Sequence, residues 1–264
     1  MNRMHLIDDL GEEVPLRGTP ERVVSLVPCL TEAVEVSLDG AIVGATDYCT
    51  HPVELDVTRV GGSKYPKVDE VLALRPDLVL ANSEENRKED VERMRADGIP
   101  VWVMAAPATV PDALGSLRRL LTQAFDLDEP RWLVEAEHAW SDTLPERTRA
   151  VVPVWRKPWV VIGRDTFGGD VLHRLGVANI YADHAERYPR PKRDEIAARF
   201  GRSEADLLVL PDEPWEFTEN DGPDAFPGVP YVLVSGRYLT WYGPSLVDAR
   251  RELTAALSEP RVAP

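Results

Sequence analysis

Cys29, Cys49 and His51 fall just beyond the first apolar runs of the chain, where two thiolates and an imidazole could ligate a soft metal ion. A tetrahedral site needs a further ligand at recognisable spacing and none follows, so two ordinary thiols explain the pair more simply. Aromatic residues are the stronger signal. Tyr48 and Tyr65 in the first half, and Phe167, Trp215, Phe217, Trp241 and Tyr242 in the second, stand in segments that read as loops. Flat rings on loops offer large contact area at small entropic cost, which suits a large, partly planar organic ligand such as a macrocycle or an aryl chelate. Roughly half of them are expected to pack beneath their own loops instead. Arg164, Arg190 and Arg237 share those loops and can pair with carboxylate, phosphate or amide oxygens. The candidate ligand-binding set is therefore Tyr48, Tyr65, Arg164, Phe167, Trp215, Arg237, Trp241 and Tyr242.

Nucleophile and cofactor motifs are missing. The chain has no GxSxG elbow, no GxxxxGK[ST] phosphate loop, no GxGxxG, no HExxH and no CxxC. Gly61-Gly-Ser-Lys64 can cradle an anion on its backbone N–H groups, but a plain turn explains it equally. No catalytic residue is assigned and no cofactor is called for. The remaining histidines, His5, His138, His173 and His184, are scattered along the chain.

The elements that must position these residues follow from periodicity. Met4 to Asp8 and Glu13 to Leu16 flank a turn and read as a small hairpin. The runs at 22–27, 42–46, 77–81 and 100–104 read as strands, with helical spacing at 31–38, 68–74 and 87–97 between them. Strand and helix alternating at this distance predict a parallel sheet covered by helices. From Val110 to Val151 only helical patterning is seen, with one helix from Glu129 toward Thr148 if it survives Pro145. Alternation then resumes, with strands at 159–162, 179–181, 206–210 and 231–234 and helices at 169–175, 193–200 and 245–257. The implied organisation is a hairpin over 1–20, an α/β lobe over 21–108, a helical connector over 109–150 and a second α/β lobe over 151–264.

The two halves echo one another. Asp69-Glu-Val-Leu-Ala-Leu-Arg-Pro-Asp-Leu-Val-Leu80 matches Asp194-Glu-Ile-Ala-Ala-Arg-Phe200 followed by Asp206-Leu-Leu-Val-Leu210. Leu38-Asp-Gly-Ala-Ile-Val-Gly-Ala45 matches Leu175-Gly-Val-Ala-Asn-Ile-Tyr-Ala182. The matches occur in the same order in each half, as two lobes of one plan would give. In such open sheets ligands bind outside the carboxyl ends of the strands, so a cleft between two lobes would be lined by strand-end loops.

Composition narrows the partners. The 264 residues include 30 Lys+Arg against 45 Asp+Glu, a net charge of -15, which disfavours polyanions and acidic membranes. At 44% apolar and 28% charged the chain can bury a full core. Two cysteines are too few for a disulfide scaffold. The first residues lack the apolar stretch of a secretory signal and no lipobox is seen, which reads as cytoplasmic.

Arg22-Val-Val-Ser-Leu-Val-Pro-Cys-Leu-Thr-Glu32, Arg75-Pro-Asp-Leu-Val-Leu80 and Gly98-Ile-Pro-Val101 resemble the first lobe of the periplasmic-binding-protein-like family of cobalamin, siderophore and haem receptors, the helical backbone metal receptors. Lys157-Pro-Trp159, Gly163-Arg-Asp-Thr-Phe167, Asp212-Glu-Pro214 and Trp241-Tyr-Gly243 resemble the second lobe of its cobalamin-binding-like branch. The resemblance runs from about residue 4 to 257. It implies two Rossmann-like α/β lobes with parallel sheets, joined by a long backbone helix, with a metal chelate held between them and no enzymatic activity. It further implies a monomer that meets its ligand outside the cytoplasm. Acidic residues at the lobe tips would dock on arginines of an ABC transporter's membrane subunits, positions that Glu70 and Glu195 take here. Helix-start acids that favour the macrodipole are the simpler account of both, worth about 0.3–1 kcal/mol each.

Overall fold

The structure is a computed structural model, and it describes residues 6–263; Met4 and His5 lie outside the described residues. The chain opens on the expected hairpin, β1 (Leu6–Ile7) against β2 (Glu13–Val14), antiparallel. Its turn is held by Asp8, whose Oδ1 accepts the amides of Leu10 and Glu12 while Oδ2 takes Val103 N and Arg95. A carboxylate with no exposed side-chain surface is tolerable because each oxygen is filled.

The first α/β set comprises β3 (Val23–Ser25), α1 (Pro28–Ser37), β4 (Ile42–Ala45), β5 (Thr58–Arg59), α2 (Val68–Ala73), β6 (Leu78–Asn82), α3 (Lys88–Ala96) and β7 (Val101–Met104). The strands form one parallel sheet in the order β5-β4-β3-β6-β7. Strands covered on both faces read as continuous apolar runs, and all five residues of β6 are buried. Helix α1 begins at Pro28 rather than at Thr31, because a proline at the first helical position gives up only an N–H that has no partner there. Val24, Leu26, Val79, Ala81, Val101 and Val103 from the sheet pack with Val71, Val91 and Met94 from the helices.

Next come α4 (Val110–Arg119), which runs on into a π-helical turn over Leu120–Ala124, and α5 (Arg131–Ala139). The helix expected to continue toward Thr148 therefore stops at Ala139. Its last carbonyls are taken by side chains: Arg250 donates to Ala139 O and Arg174 to Trp140 O. Pro145 follows, and Thr148 is already strand.

The second set comprises β8 (Thr148–Val151), β9 (Pro153–Arg156), β10 (Trp159–Val161), α6 (Phe167–Arg174), β11 (Val177–Asn179), α7 (Arg193–Gly201), β12 (Leu207–Pro211), a single 3-10 turn at Pro223–Ala225, β13 (Pro230–Val234), α8 (Gly236–Thr240), α9 (Leu246–Leu257) and β14 (Arg261–Val262). Strand order is β11-β8-β12-β13-β14, parallel except for β14 at the edge, with β9 and β10 as a separate antiparallel hairpin. The expected strand at 159–162 thus lies in that hairpin, not in the main sheet, and β8 and β9 were not anticipated. Its core is richer in rings, with Tyr181, Phe217, Phe226 and Tyr231 beside Val151, Leu208 and Leu210.

Contacts divide the chain into two units. Unit 1 holds residues to Ala106 with Ala113–Val134 and Tyr242–Pro244; unit 2 holds Pro107–Asp112, Glu135–Trp241 and Ser245–Pro264. The sequence echo is structural. Asp69-Glu70 and Asp194-Glu195 occupy the second and third positions of α2 and α7, the helices that lead into β6 and β12. Leu38–Ala45 and Leu175–Ala182 each leave a helix through a left-handed glycine, Gly40 (φ 79°) and Gly176 (φ 75°), and enter β4 and β11. Thus β4-β3-β6-β7 in unit 1 corresponds to β11-β8-β12-β13 in unit 2.

Candidate binding site

In unit 1 the carboxyl ends of β4, β5 and β6 feed three loops. Tyr48 follows β4 and Tyr65 follows β5, and both are largely exposed, at 65% and 69%. The turn that carries Tyr65 is fixed from two sides: Gly61 pairs with Pro66, and Asp47 N donates to Gly61 O. Gly62 lies under the Tyr48 ring, where an added Cβ would sit 3.5 Å from Cε2. The turn is also tied to the loop after β6, since Asn86 Nδ2 donates to Ser63 O (2.9 Å) and Lys64 Nζ to Glu84 O (3.3 Å). The Arg87 guanidinium stands 4.9 Å from the centre of the Tyr65 ring. The two exposed rings are thus held on an ordered backbone. Gly61-Gly-Ser-Lys64 makes this turn.

Tyr242, also in unit 1, packs at the carboxyl end of β6. It is buried, with its hydroxyl accepting from Asn82 Nδ2 at 2.7 Å and its side chain hydrogen-bonded to Cys29. Burial first, then the neighbouring Cys29 and Glu85, push the Tyr242 phenol well above its usual range. The Cys29 thiol is likewise pushed well up by burial and then by Glu85. Cys49 is buried, with Thr31 Oγ1 donating to its Sγ at 3.0 Å and Thr46 Oγ1 hydrogen-bonded to the same Sγ at 3.2 Å, and burial pushes its thiol up as well. Protonated thiols are poor ligands. His51 Nδ1 pairs with Thr50 Oγ1 at 3.1 Å. Among the described residues no group of three or more His, Cys, Asp or Glu is arranged to hold a metal ion.

In unit 2 the predicted residues divide. Arg237 and Trp241 come together: the guanidinium stands 5.8 Å from the Trp241 ring and 5.6 Å from Tyr238, on α8 and the residue after it. Arg164 is exposed and paired with Asp165 at 2.7 Å. Phe167 opens α6 and is buried, so it belongs to the core rather than to a loop. Trp215 is half-buried and held within unit 2: it packs edge-on to Trp155 of β9 with centres 5.1 Å apart, and its Nε1 donates to Asp221 in its own loop at 2.8 Å. Phe217 is buried and stacks on Trp159.

One group in unit 2 entered the sequence reading only as part of a motif. Glu213 follows β12 at the carboxyl edge of the sheet, and its carboxyl is pushed up to about 7, by burial first and then by Asp212, against the opposing pull of a Trp241 hydrogen bond and of Arg237. Glu70 is half-exposed and paired with Lys67 at 3.1 Å. Glu195 is exposed, and its Oε2 accepts Lys192 N at 2.8 Å, a helix-start hydrogen bond. Beside it a groove of about 820 Å³ is lined by Tyr181, Arg190, Asp194, Glu195 and Arg199 among others. Among the described residues no helix is long and apolar enough to cross a membrane.

Comparison with known proteins agrees with this architecture. The vitamin B12-binding protein of Pectobacterium atrosepticum is 24% identical over 263 residues, 93% of this chain and 91% of its own. Among solved structures, the periplasmic haem-binding protein RhuT of Roseiflexus sp. superposes with a TM-score of 0.71 at 20% identity, covering 90% of this chain and 98% of that one. The periplasmic vitamin B12-binding protein BtuF of Vibrio cholerae gives 0.68 at 17% identity, covering 90% and 97%. At these identities the likeness is one of fold. The family model described as periplasmic binding protein matches residues 23–213, most of the chain, and the protein belongs to that family.

Proposed function

We propose that this protein is the solute-binding component of an ABC-type importer and that its ligand is a large metal chelate, a corrinoid, siderophore or haem. The observation that carries the reading is the pair of exposed tyrosines, Tyr48 and Tyr65, on the braced strand-end loops of unit 1. Solvent-exposed aromatic side chains on an ordered backbone are ready to stack without further loss of freedom. Unit 2 offers Arg237 and Trp241 from its own carboxyl edge, with Arg164 on a neighbouring loop for the polar rim of the ligand. Vitamin B12 and haem are the ligands named for the relatives above, which supports a macrocycle over a smaller solute. In this reading the protein binds and hands over its ligand without a catalytic step.

Titration of the purified protein with cyanocobalamin, haemin and ferric siderophores, followed by absorbance and tryptophan quenching, tests the proposal. Saturable binding of at least one chelate at micromolar protein is expected, and flat responses to all of them would overturn it. Docking on permease subunits would use Glu70 and Glu195, which occupy matching positions on α2 and α7. The Glu70→Ala/Glu195→Ala double variant should bind ligand as the parent does yet lose most uptake in cells; unchanged uptake would remove docking from these two residues.

A further inference from the structure

Glu213 is set more rigidly than a surface loop requires. Asp212 N donates to Val234 O, and Asp212 Oδ1 accepts Gly236 N at 2.6 Å, so the turn after β13 is closed onto the segment after β12. Gly236 lies directly against Glu213. A Cβ at that position would come 2.3 Å from Glu213 Cγ and 2.7 and 2.8 Å from its backbone oxygen and nitrogen, so only glycine fits. The carboxyl is hydrogen-bonded by the Trp241 side chain, while its Oε1 is buried with no hydrogen-bond partner among the described residues. A buried carboxyl oxygen without a donor is costly to leave ionised, and it is the place where a proton is readily accepted.

Two charged groups act on it, Asp212 from its own segment and Arg237 from α8. Other charges on elements packed nearby are engaged elsewhere. On α6, which packs on α8, Asp170 and Arg174 pair with each other at 2.8 Å and His173 is exposed; on α9, which also packs on α8, Arg250 pairs with Asp142 and Arg251 with Asp248 and Glu252; on β8 and β9, which pack on β12, Arg149 pairs with Asp206 and Arg156 with Asp221 and Asp224. The charge of Glu213 is thus opposed by one carboxylate and favoured by one guanidinium.

We propose that Glu213 is a positioning residue for ligand capture, whose ionised form holds Arg237 and Trp241 in place and whose protonated form frees Arg237 for an anionic group of the ligand. The proposal rests on the binding function above, and the ligand class it selects is a chelate carrying carboxylate or phosphate groups. When such a group meets Arg237, the attraction that stabilised ionised Glu213 is shared, so its proton affinity rises and binding takes up a proton. Linkage fixes the sign. A group whose pKa is higher in the complex than in the free protein makes binding tightest at low pH and weaker as pH rises through and above its free value, here about 7. A tenfold rise in the carboxyl's proton affinity on binding corresponds to about tenfold in ligand affinity between low and high pH.

Two measurements test this. In ligand-free protein, tryptophan fluorescence followed against pH should show a transition near 7, absent in Glu213→Gln and in a Trp241→Phe blank, and moved to lower pH in Asp212→Asn, which keeps the acceptor for Gly236 N but removes a charge. Haemin, with two propionates, should bind about tenfold more weakly at pH 9 than at pH 6, and Glu213→Gln should flatten that slope. Should Glu213→Gln fail to fold, the Asp212→Asn displacement carries the test. A wild-type transition that Asp212→Asn leaves unmoved, or a haemin slope that survives in Glu213→Gln, overturns the proposal. A transition as expected with no haemin bound at any pH overturns it too, and then the fault lies with the ligand reading and not with the proton site.

Discussion

Units 1 and 2 share four strands in one order and spend their carboxyl edges differently. In unit 1 the connection after β6 is a short loop into α3, and the loops after β4 and β5 carry Tyr48 and Tyr65 out into solvent. In unit 2 the hairpin β9–β10 intervenes between β8 and α6, and the connection after β12 holds no α-helix but a loop that packs Trp215, Phe217 and Phe226 against Trp155 and Trp159. Rings alone do not mark a binding surface. What distinguishes the two edges is whether a ring is left exposed or packed away within its own unit.

The largest expected effect is on the unit 1 core. Trp102 in β7 has no exposed surface, and Trp102→Ala should cost about 3–5 kcal/mol in urea-induced unfolding. Glycines sharpen the contrast between the sheets. At Gly163 in unit 2 a Cβ would meet Glu186 O at 2.2 Å and Arg187 O at 3.0 Å, both backbone, so Gly163→Ala should cost about 3 kcal/mol. At Gly44 in unit 1 the obstacle at 2.5 Å is the tip of the Leu74 side chain, which can turn away, and Gly44→Ala should cost about 1 kcal/mol. Equal losses at the two sites would remove the distinction.

A further contrast is in pH dependence. Glu213 has a folded pKa raised from 4.5 to about 7, so the unfolded chain releases its proton first, and stability falls as pH rises from about 5 toward 8. Glu213→Gln should flatten that decline in denaturation midpoints. Asp206 and Asp224 act in the opposite sense: their arginine partners, Arg149 and Arg156, hold their carboxyls below the usual range, and this stability is lost only at acid pH.

Much of this was legible in sequence. Continuous apolar runs revealed β3, β6, β7 and β12, because strands buried on both faces need no alternation. The repeated Asp-Glu start revealed α2 and α7. Strands β5 and β8 were missed because Thr58–Arg59 is two polar residues and Thr148–Val151 is short and half polar, and the helix toward Thr148 was overextended because its real stop is set by Arg174 and Arg250, distant in sequence. The candidate site was read less well. Exposed and buried aromatics look alike in a loop, and only the β9 residue Trp155 and the loop residue Asp221 reveal that Trp215 is packed within its own unit. Glu213 could have been found only through Gly236, since nothing in Asp212-Glu213-Pro214 announces that a glycine from the next turn lies on it.

The most direct test sets the two edges against each other in one calorimetric titration with the chelate that binds best. The Tyr48→Ala/Tyr65→Ala double variant should lose at least about tenfold in affinity with its melting temperature unchanged, since both rings are exposed. Trp215→Ala should lose about 2 kcal/mol of stability and change affinity far less. Full affinity in the double variant, or a loss confined to Trp215→Ala, would contradict the assignment of ligand capture to the exposed tyrosines of unit 1.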